Sequence, residues 1–73
     1  MNSYLVEWGD FAPLELSSGE IVQSSTVDDR TLRSKEFITK EIALAFAHAK
    51  LKEQDDWLAF IEVKEIKLLE KVK

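Results

Sequence analysis

The chain has no cysteine, one proline, two glycines and one histidine in 73 residues. Without thiols there can be no disulfide and no thiolate metal site, and His48 alone cannot build a multi-histidine zinc site. Neither Gly9 nor Gly19 leads into a Lys-Ser or Lys-Thr pair, so the glycine-dependent phosphate cradles are missing. Long apolar runs are missing too. Residues 42–47 and 57–61 are the longest, against about 20 needed to cross a bilayer as a helix. Met1-Asn2-Ser3-Tyr4 has neither the basic opening nor the apolar stretch of a secretory signal, which gives a cytoplasmic location as the expectation.

A surplus of positive charge is also absent. The formal net charge is −4, the wrong sign for a chain that binds nucleic acid by displacing counterions from phosphates. The charge is unevenly spread. Up to residue 30, six acids (Glu7, Asp10, Glu15, Glu20, Asp28, Asp29) face Arg30 alone, whereas from Thr31 onward nine bases outnumber eight acids. The acidity therefore belongs to the first half.

What is present is an apolar fraction of 45% with two Trp and four Phe, far from the composition of disordered chains. The length allows one core, so residues 1–73 read as a single domain. A domain this small buries only about 60% of its unfolded surface and has a few kcal/mol of stability, supplied by packing.

Periodicity gives the elements. Residues 3–8 alternate Tyr4, Val6 and Trp8 with Leu5 and Glu7 as a half-buried strand does, with Gly9-Asp10 as its end. Residues 11–16 and 20–23, joined by Ser17-Ser18-Gly19, form either a hairpin or a loop, because Pro13 is tolerated only at a strand start or on an edge. Residues 24–30 read as a polar surface loop and residues 31–38 as a weaker strand. Thr39 is a helix N-cap with Glu41 in the first turn, and the Ala-rich helix runs to about Gln54. Residues 57–63 have the aromatic and β-branched content of a central strand. Residues 65–73 fit a strand or a helix, with a continued or bulged strand preferred. The fold class that results is α+β: a three- to four-stranded, mostly antiparallel sheet with one helix on one face, in the order β-(ββ)-β-α-β. Its core would draw on Tyr4, Val6, Phe37, Ile42, Phe46, Trp57, Ala59, Ile61 and Val63.

Catalytic chemistry finds no foothold in this pattern. His48 lies mid-helix, where a structural or surface role fits better than that of a general base. Asp28-Asp29 and Asp55-Asp56 lack the spaced ligands of a calcium loop and read as solvated acids. The mixed Glu and Lys of residues 62–71 suit an exposed strand guarded against edge-to-edge pairing. The chain is therefore expected to be no enzyme and to need no metal, nucleotide or other cofactor.

Two surfaces remain for binding. In the first, residues 8–29 hold nearly all the excess negative charge, and Trp8 and Phe11 flank Gly9-Asp10, where aromatic anchors would project from a turn. Trp8, Asp10, Phe11, Glu15, Glu20, Asp28 and Asp29 form this candidate contact set. The second comes from projecting the helix at 100° per residue: Leu44, His48 and Leu51 fall opposite Ile42, Phe46 and Ala49, so this second apolar group either meets a partner or is simply exposed leucine of the kind common on surfaces.

A Tyr4-x-Val6 opening strand, the helix start Phe37-Ile38-Thr39-Lys40-Glu41 and an Ile61-x-Val63 closing strand resemble the small acidic proteins of phages and mobile elements, some anti-CRISPR inhibitors among them. The resemblance implies a module that docks on a basic site of a larger host protein, for instance a nucleic-acid-binding protein, and inhibits it. It transfers no functional residue. The alternative is a self-associating structural or accessory protein that dimerises through its helix face. Direct binding of nucleic acid or membrane is not expected.

Overall fold

The computed structural model describes residues 2–53 and 55–67. The chain forms strand β1 (Asn2–Glu15), strand β2 (Ile21–Val27), a 3-10 turn (Asp29–Thr31), strand β3 (Arg33–Phe37), helix α1 (Lys40–Lys52) and strand β4 (Leu58–Lys67). All three strand pairings are antiparallel and α1 packs on one face of the sheet, the expected α+β architecture.

The central strand is β1. Along residues 4–8 it pairs with β3 on one edge and β4 on the other, and its last residues pair with β2. β4, expected at the centre, is an edge strand. Its Glu62, Lys64 and Glu65 suit an edge, because side-chain charge discourages further strand addition, whereas β1 has apolar side chains on both faces. Glu7 and Glu62 lie directly opposite each other, a repulsive arrangement, and Lys64 Nζ settles it by reaching Glu7 Oε1 at 2.8 Å and Glu62 Oε1 at 3.2 Å. These two carboxylates raise the Lys64 pKa above its ordinary value.

Gly9-Asp10 does not end the first strand. β1 continues through it, and β4 bulges alongside, with Gly9 opposite Phe60 and Asp10 opposite Leu58. Glycine is needed here for space. A Cβ on Gly9 would sit 2.9 Å from Leu32 Cδ2, 3.0 Å from Phe60 Cε1 and 3.2 Å from Val27 Cγ1, so these three side chains close over bare backbone on the face away from α1. Pro13 is accommodated because β1 has a partner strand on one side only at that point, where Pro13 stands opposite Gln23. Residues 11–30 thus form a hairpin. β2 extends to Val27, with β-branched Thr26 and Val27 replacing the expected loop, and the 3-10 turn follows.

Thr39 caps α1 as expected: its backbone is extended (φ −116°, ψ 149°) and its hydroxyl accepts from Ile42 N at 3.2 Å. α1 ends at Lys52 with Glu53 as C-cap; Gln54, the expected terminus, lies outside the described residues. Lys50 and Lys52 occupy the last turn, where cations favour the helix dipole. β4 continues to Lys67, so the preference for strand after residue 65 holds that far, and residues 68–73 lie outside the described residues.

The helix face differs from the expected one. Val6, Ala43 and Ala47 are the buried centre, with Tyr4, Trp8, Phe37, Phe46, Ile61 and Val63 packed around them. Ile42, expected in the core, is 54% exposed. On the 100° projection the two apolar groups around Ile42 and around Leu44 are the flanks of one stripe whose middle is alanine. Small side chains let the helix axis approach the sheet, and the larger ones splay to either side. Trp57 and Ala59 are half-buried and stand outside this cluster: Trp57 precedes β4, and Ala59 lies in the bulge between the Asp10–Leu58 and Gly9–Phe60 pairs.

Ala43→Leu is expected to cost about 1–3 kcal/mol by overpacking this contact, whereas Ile42→Ala changes stability by less than about 1 kcal/mol. Urea titration followed by tryptophan fluorescence compares the two. The same assay tests the Gly9 crossing: Gly9→Val is expected to lose about 1–3 kcal/mol, because the entropy gained by replacing glycine is smaller than the clash with Leu32, Phe60 and Val27.

Candidate interaction surface

Beyond Asp10, β1 and β2 leave the three-stranded body as a two-stranded arm. Val22 and Leu14 face each other on one side of it, Glu15 and Ile21 on the other. The tip is closed by Gly19 N donating to Leu16 O at 2.9 Å and Leu16 N donating to Glu20 O at 2.8 Å, with Gly19 at φ 88°, the left-handed region that glycine enters freely. Among the described residues no helix or third strand pairs with the arm's outer half. Leu14 is 49% and Ile21 60% exposed, with Leu16 and Val27 also open to solvent.

The joint between arm and body is well tied. Asp28 N donates to Asp10 O at 2.8 Å, Phe11 N to Trp57 O at 2.8 Å, and Asp10 N to Thr31 Oγ1 at 2.8 Å, while the Thr31 hydroxyl donates onward to Asp28 O at 2.7 Å. Farther out, the Gln23 side-chain amide donates to Asp56 O. Arg30 then clasps the Asp28 carboxylate from its side chain, Nε to Oδ1 and Nη2 to Oδ2, both at 3.1 Å, and its backbone N reaches Oδ1 at 3.0 Å. These hydrogen bonds hold the Asp28 pKa below its usual value.

The candidate acids therefore separate into two groups. Asp10, Asp28 and Asp29 sit at the joint and Glu15 and Glu20 at the tip, with roughly 13 Å of strand between the Phe11–Val27 and Glu15–Ile21 pairs. Asp28 is matched by Arg30 and Asp10 is half-buried, so the exposed charge of the set lies with Glu15, Glu20 and Asp29. Phe11 is half-buried opposite Val27. Trp8 does not project from a turn. Its ring lies 5.3 Å from that of Phe46 between centroids, against the core. Leu44, His48 and Leu51 share one exposed flank of α1. Leu44 lines a shallow cavity of about 270 Å³ with Tyr4, Lys40, Val63 and Glu65. There the Tyr4 hydroxyl lies 3.4 Å from Glu65 Oε2, and partial burial, then that carboxylate, push the phenol's pKa up.

One group escaped sequence reasoning. Arg33, Lys35 and Phe37 alternate along β3, opposite Trp8, Val6 and Tyr4, so all three project from the α1 side of the sheet. Lys35 Nζ lies 5.4 Å from the Phe46 ring centre and 5.6 Å from that of Phe37, and Lys50 Nζ lies 5.3 Å from Trp8 and 5.6 Å from Phe46. The signal was the period of two in Arg33-x-Lys35-x-Phe37, which puts two cations beside an aromatic. Among the described residues no group of three or more His, Cys, Asp or Glu is placed to hold a metal ion.

No protein-family model, curated protein or solved structure matches this chain.

The Asp28–Arg30 clasp predicts a pH dependence. A carboxylate whose pKa is lowered on folding stabilises the fold above its unfolded pKa, and that contribution disappears as pH falls through the folded value. Asp28→Asn is therefore expected to be less stable than wild type at pH 6, with the difference shrinking as the pH drops below about 4. Thermal melting across that range measures it.

Proposed function

We propose that the protein is a non-enzymatic protein-binding module whose β1–β2 arm docks on a basic site of a larger protein partner. The observation that carries this reading is the composition of the arm. Residues 11–27 contain Glu15 and Glu20, with no Lys or Arg, and they leave Leu14, Leu16 and Ile21 in solvent. An isolated two-stranded hairpin is marginal in water, and its exposed apolar side chains are offset only when something covers them. A tied joint limits the entropy lost on docking. The acids steer the approach and select a basic surface, while the apolar side chains supply contact energy.

A partner whose basic site ordinarily holds phosphates would be inhibited by such an arm, because Glu15, Glu20 and Asp29 would occupy positions that its lysines and arginines keep for nucleic acid. The protein would then act as a competitor of nucleic acid without binding it. Self-association through Leu44, His48 and Leu51 is the second reading, supported by the 55% exposure of Leu51 on a flank where no described residue covers it.

Affinity capture from host lysate with the wild-type chain, run beside Glu15→Lys with Glu20→Lys, tests the arm. The partner is expected to be retained by wild type and lost with the double variant. With that partner purified, the variant's association rate is expected to fall by about tenfold or more at low ionic strength and by less at high salt, where surface charge is screened. A partner captured equally by both chains, or lost only with Leu44→Glu and Leu51→Glu, would move the function to the helix face.

A further inference from the structure

The basic and aromatic group on β3 and α1 has the chemistry that the arm lacks. Phe46 lies between Trp8 and Phe37, with centroids 5.3 and 5.2 Å away, and the ammonium groups of Lys35 and Lys50 cap the trio. Arg33 is exposed beside Trp8, and among the described residues it makes no ion pair while Lys50 makes a long one of 3.9 Å with Glu53. Ile38, directly after Phe37, is 82% exposed, and Ile42, one helical turn before Phe46, is largely exposed as well. The result is a platform of three cations, with Ile42 beside it on the helix, over an aromatic floor. The arm carries two acids and three uncovered aliphatic side chains, shared between its two sides, with Leu14 on one and Glu15 and Ile21 on the other.

From these complementary surfaces we infer that the platform receives the β1–β2 arm of a second copy of this chain. It cannot receive its own. From Trp8, in the platform floor, to Leu16 at the tip is eight residues along β1, roughly 26 Å of extended strand directed away from the platform, and the bonds at Asp10, Phe11 and Thr31 hold the joint. Symmetry decides how two copies meet. A single head-to-tail contact leaves one arm and one platform open and continues into a filament, whereas reciprocal exchange about a two-fold axis uses both arms and both platforms and closes. The assembly is a closed dimer in which the arm tip of each chain, with Glu15 on one side and Glu20 on the other, meets Arg33, Lys35 and Lys50 of its partner copy. The inference shares the arm with the reading above but stands on the platform, and a homodimer of this kind would hide the arm until a partner displaces it.

Sedimentation velocity on the purified chain at low salt, from about 1 to about 200 µM, reads the assembly through its concentration dependence. The wild type is expected to be a dimer over the upper part of that range and to dissociate as salt is added. Glu15→Lys with Glu20→Lys, and separately Arg33→Glu with Lys35→Glu, are expected to be monomers with wild-type circular dichroism. Their equimolar mixture is expected to recover a dimer, because each reversed arm then meets a reversed platform. Should Lys35, whose stem covers Phe46, prove necessary for folding, Arg33→Glu alone carries the test at an exposed site. A wild type monomeric throughout, a reversed-arm variant that still dimerises, or a mixture that stays monomeric overturns the inference. Loss of the dimer in Leu44→Glu with Leu51→Glu while the arm variant keeps it overturns it too. The outcomes separate from those of partner capture: a monomeric wild type can still bind a partner through its arm, and a dimer that captures none leaves the exchange standing.

Discussion

A strand has two hydrogen-bonding edges, and along residues 4–8 of β1 both are occupied, by β3 on one side and β4 on the other. β1 then runs on past both and pairs with β2 alone. The rest of the molecule depends on that length. A buried backbone must find partners for its N–H and C=O groups, so the doubly paired half can lie beneath a helix, whereas the singly paired half keeps one edge for solvent and becomes an arm. The molecule measures 61 × 29 × 13 Å, one sheet and one helix thick. With so little depth, the buried hydrophobic side chains among the described residues are Val6, Ala43 and Ala47, and stability rests on aromatic and aliphatic side chains that are half-covered.

Gly9 is where one regime passes into the other. At that residue β3 gives way to the 3-10 turn, β4 bulges, and Val27 of β2, Phe60 of β4 and Leu32 between the 3-10 turn and β3 close over the backbone. A side chain would push them apart. Thr31 completes the passage from the other side, its hydroxyl accepting from Asp10 N and donating to Asp28 O. The feature read from sequence as a strand end is therefore the place where a strand is allowed to continue between two different environments.

Fold class, helix start and the alternation of Tyr4, Val6 and Trp8 were legible because each depends on residues close in sequence: the Thr39 cap acts three residues ahead, and a strand's period is two. The sheet order was not legible, since the evidence for β1 as centre is its pairing with segments about 30 and 60 residues away. Nor was the orientation of α1. Hydrophobic strength pointed to Ile42 and Leu44, but close packing on a sheet selects for small size, and alanine carries too weak an apolar signal to mark a core face alone. Of the candidate contact residues, Glu15 and Glu20 lie exposed where a polar, turn-forming segment suggested. Trp8 and Asp28 found partners that only the folded chain supplies, Phe46 for the ring and Arg30 for the carboxylate.

The free outer edge of β2 bears on how copies of this chain meet. Residues 21–27 carry no charge and no proline, and an uncharged edge strand rich in β-branched residues is a template for strand addition. Two copies pairing antiparallel about Ser24 would set residue 20 of each chain opposite residue 28 of the other, bringing Glu20 against Asp28 at both ends, and like charges directly opposite disfavour pairing. Arg30 clasps Asp28, so of the two acids that bracket β2 it is Glu20 that brings unmatched charge to such a pairing. On the proposed reading the arm's acids would meet Arg33, Lys35 and Lys50, a group in which Lys50 has Glu53 3.9 Å away. On that reading the negative charge of the arm and the positive charge at the middle of the body would act together, whether the basic surface belongs to another protein or to a second copy of this one.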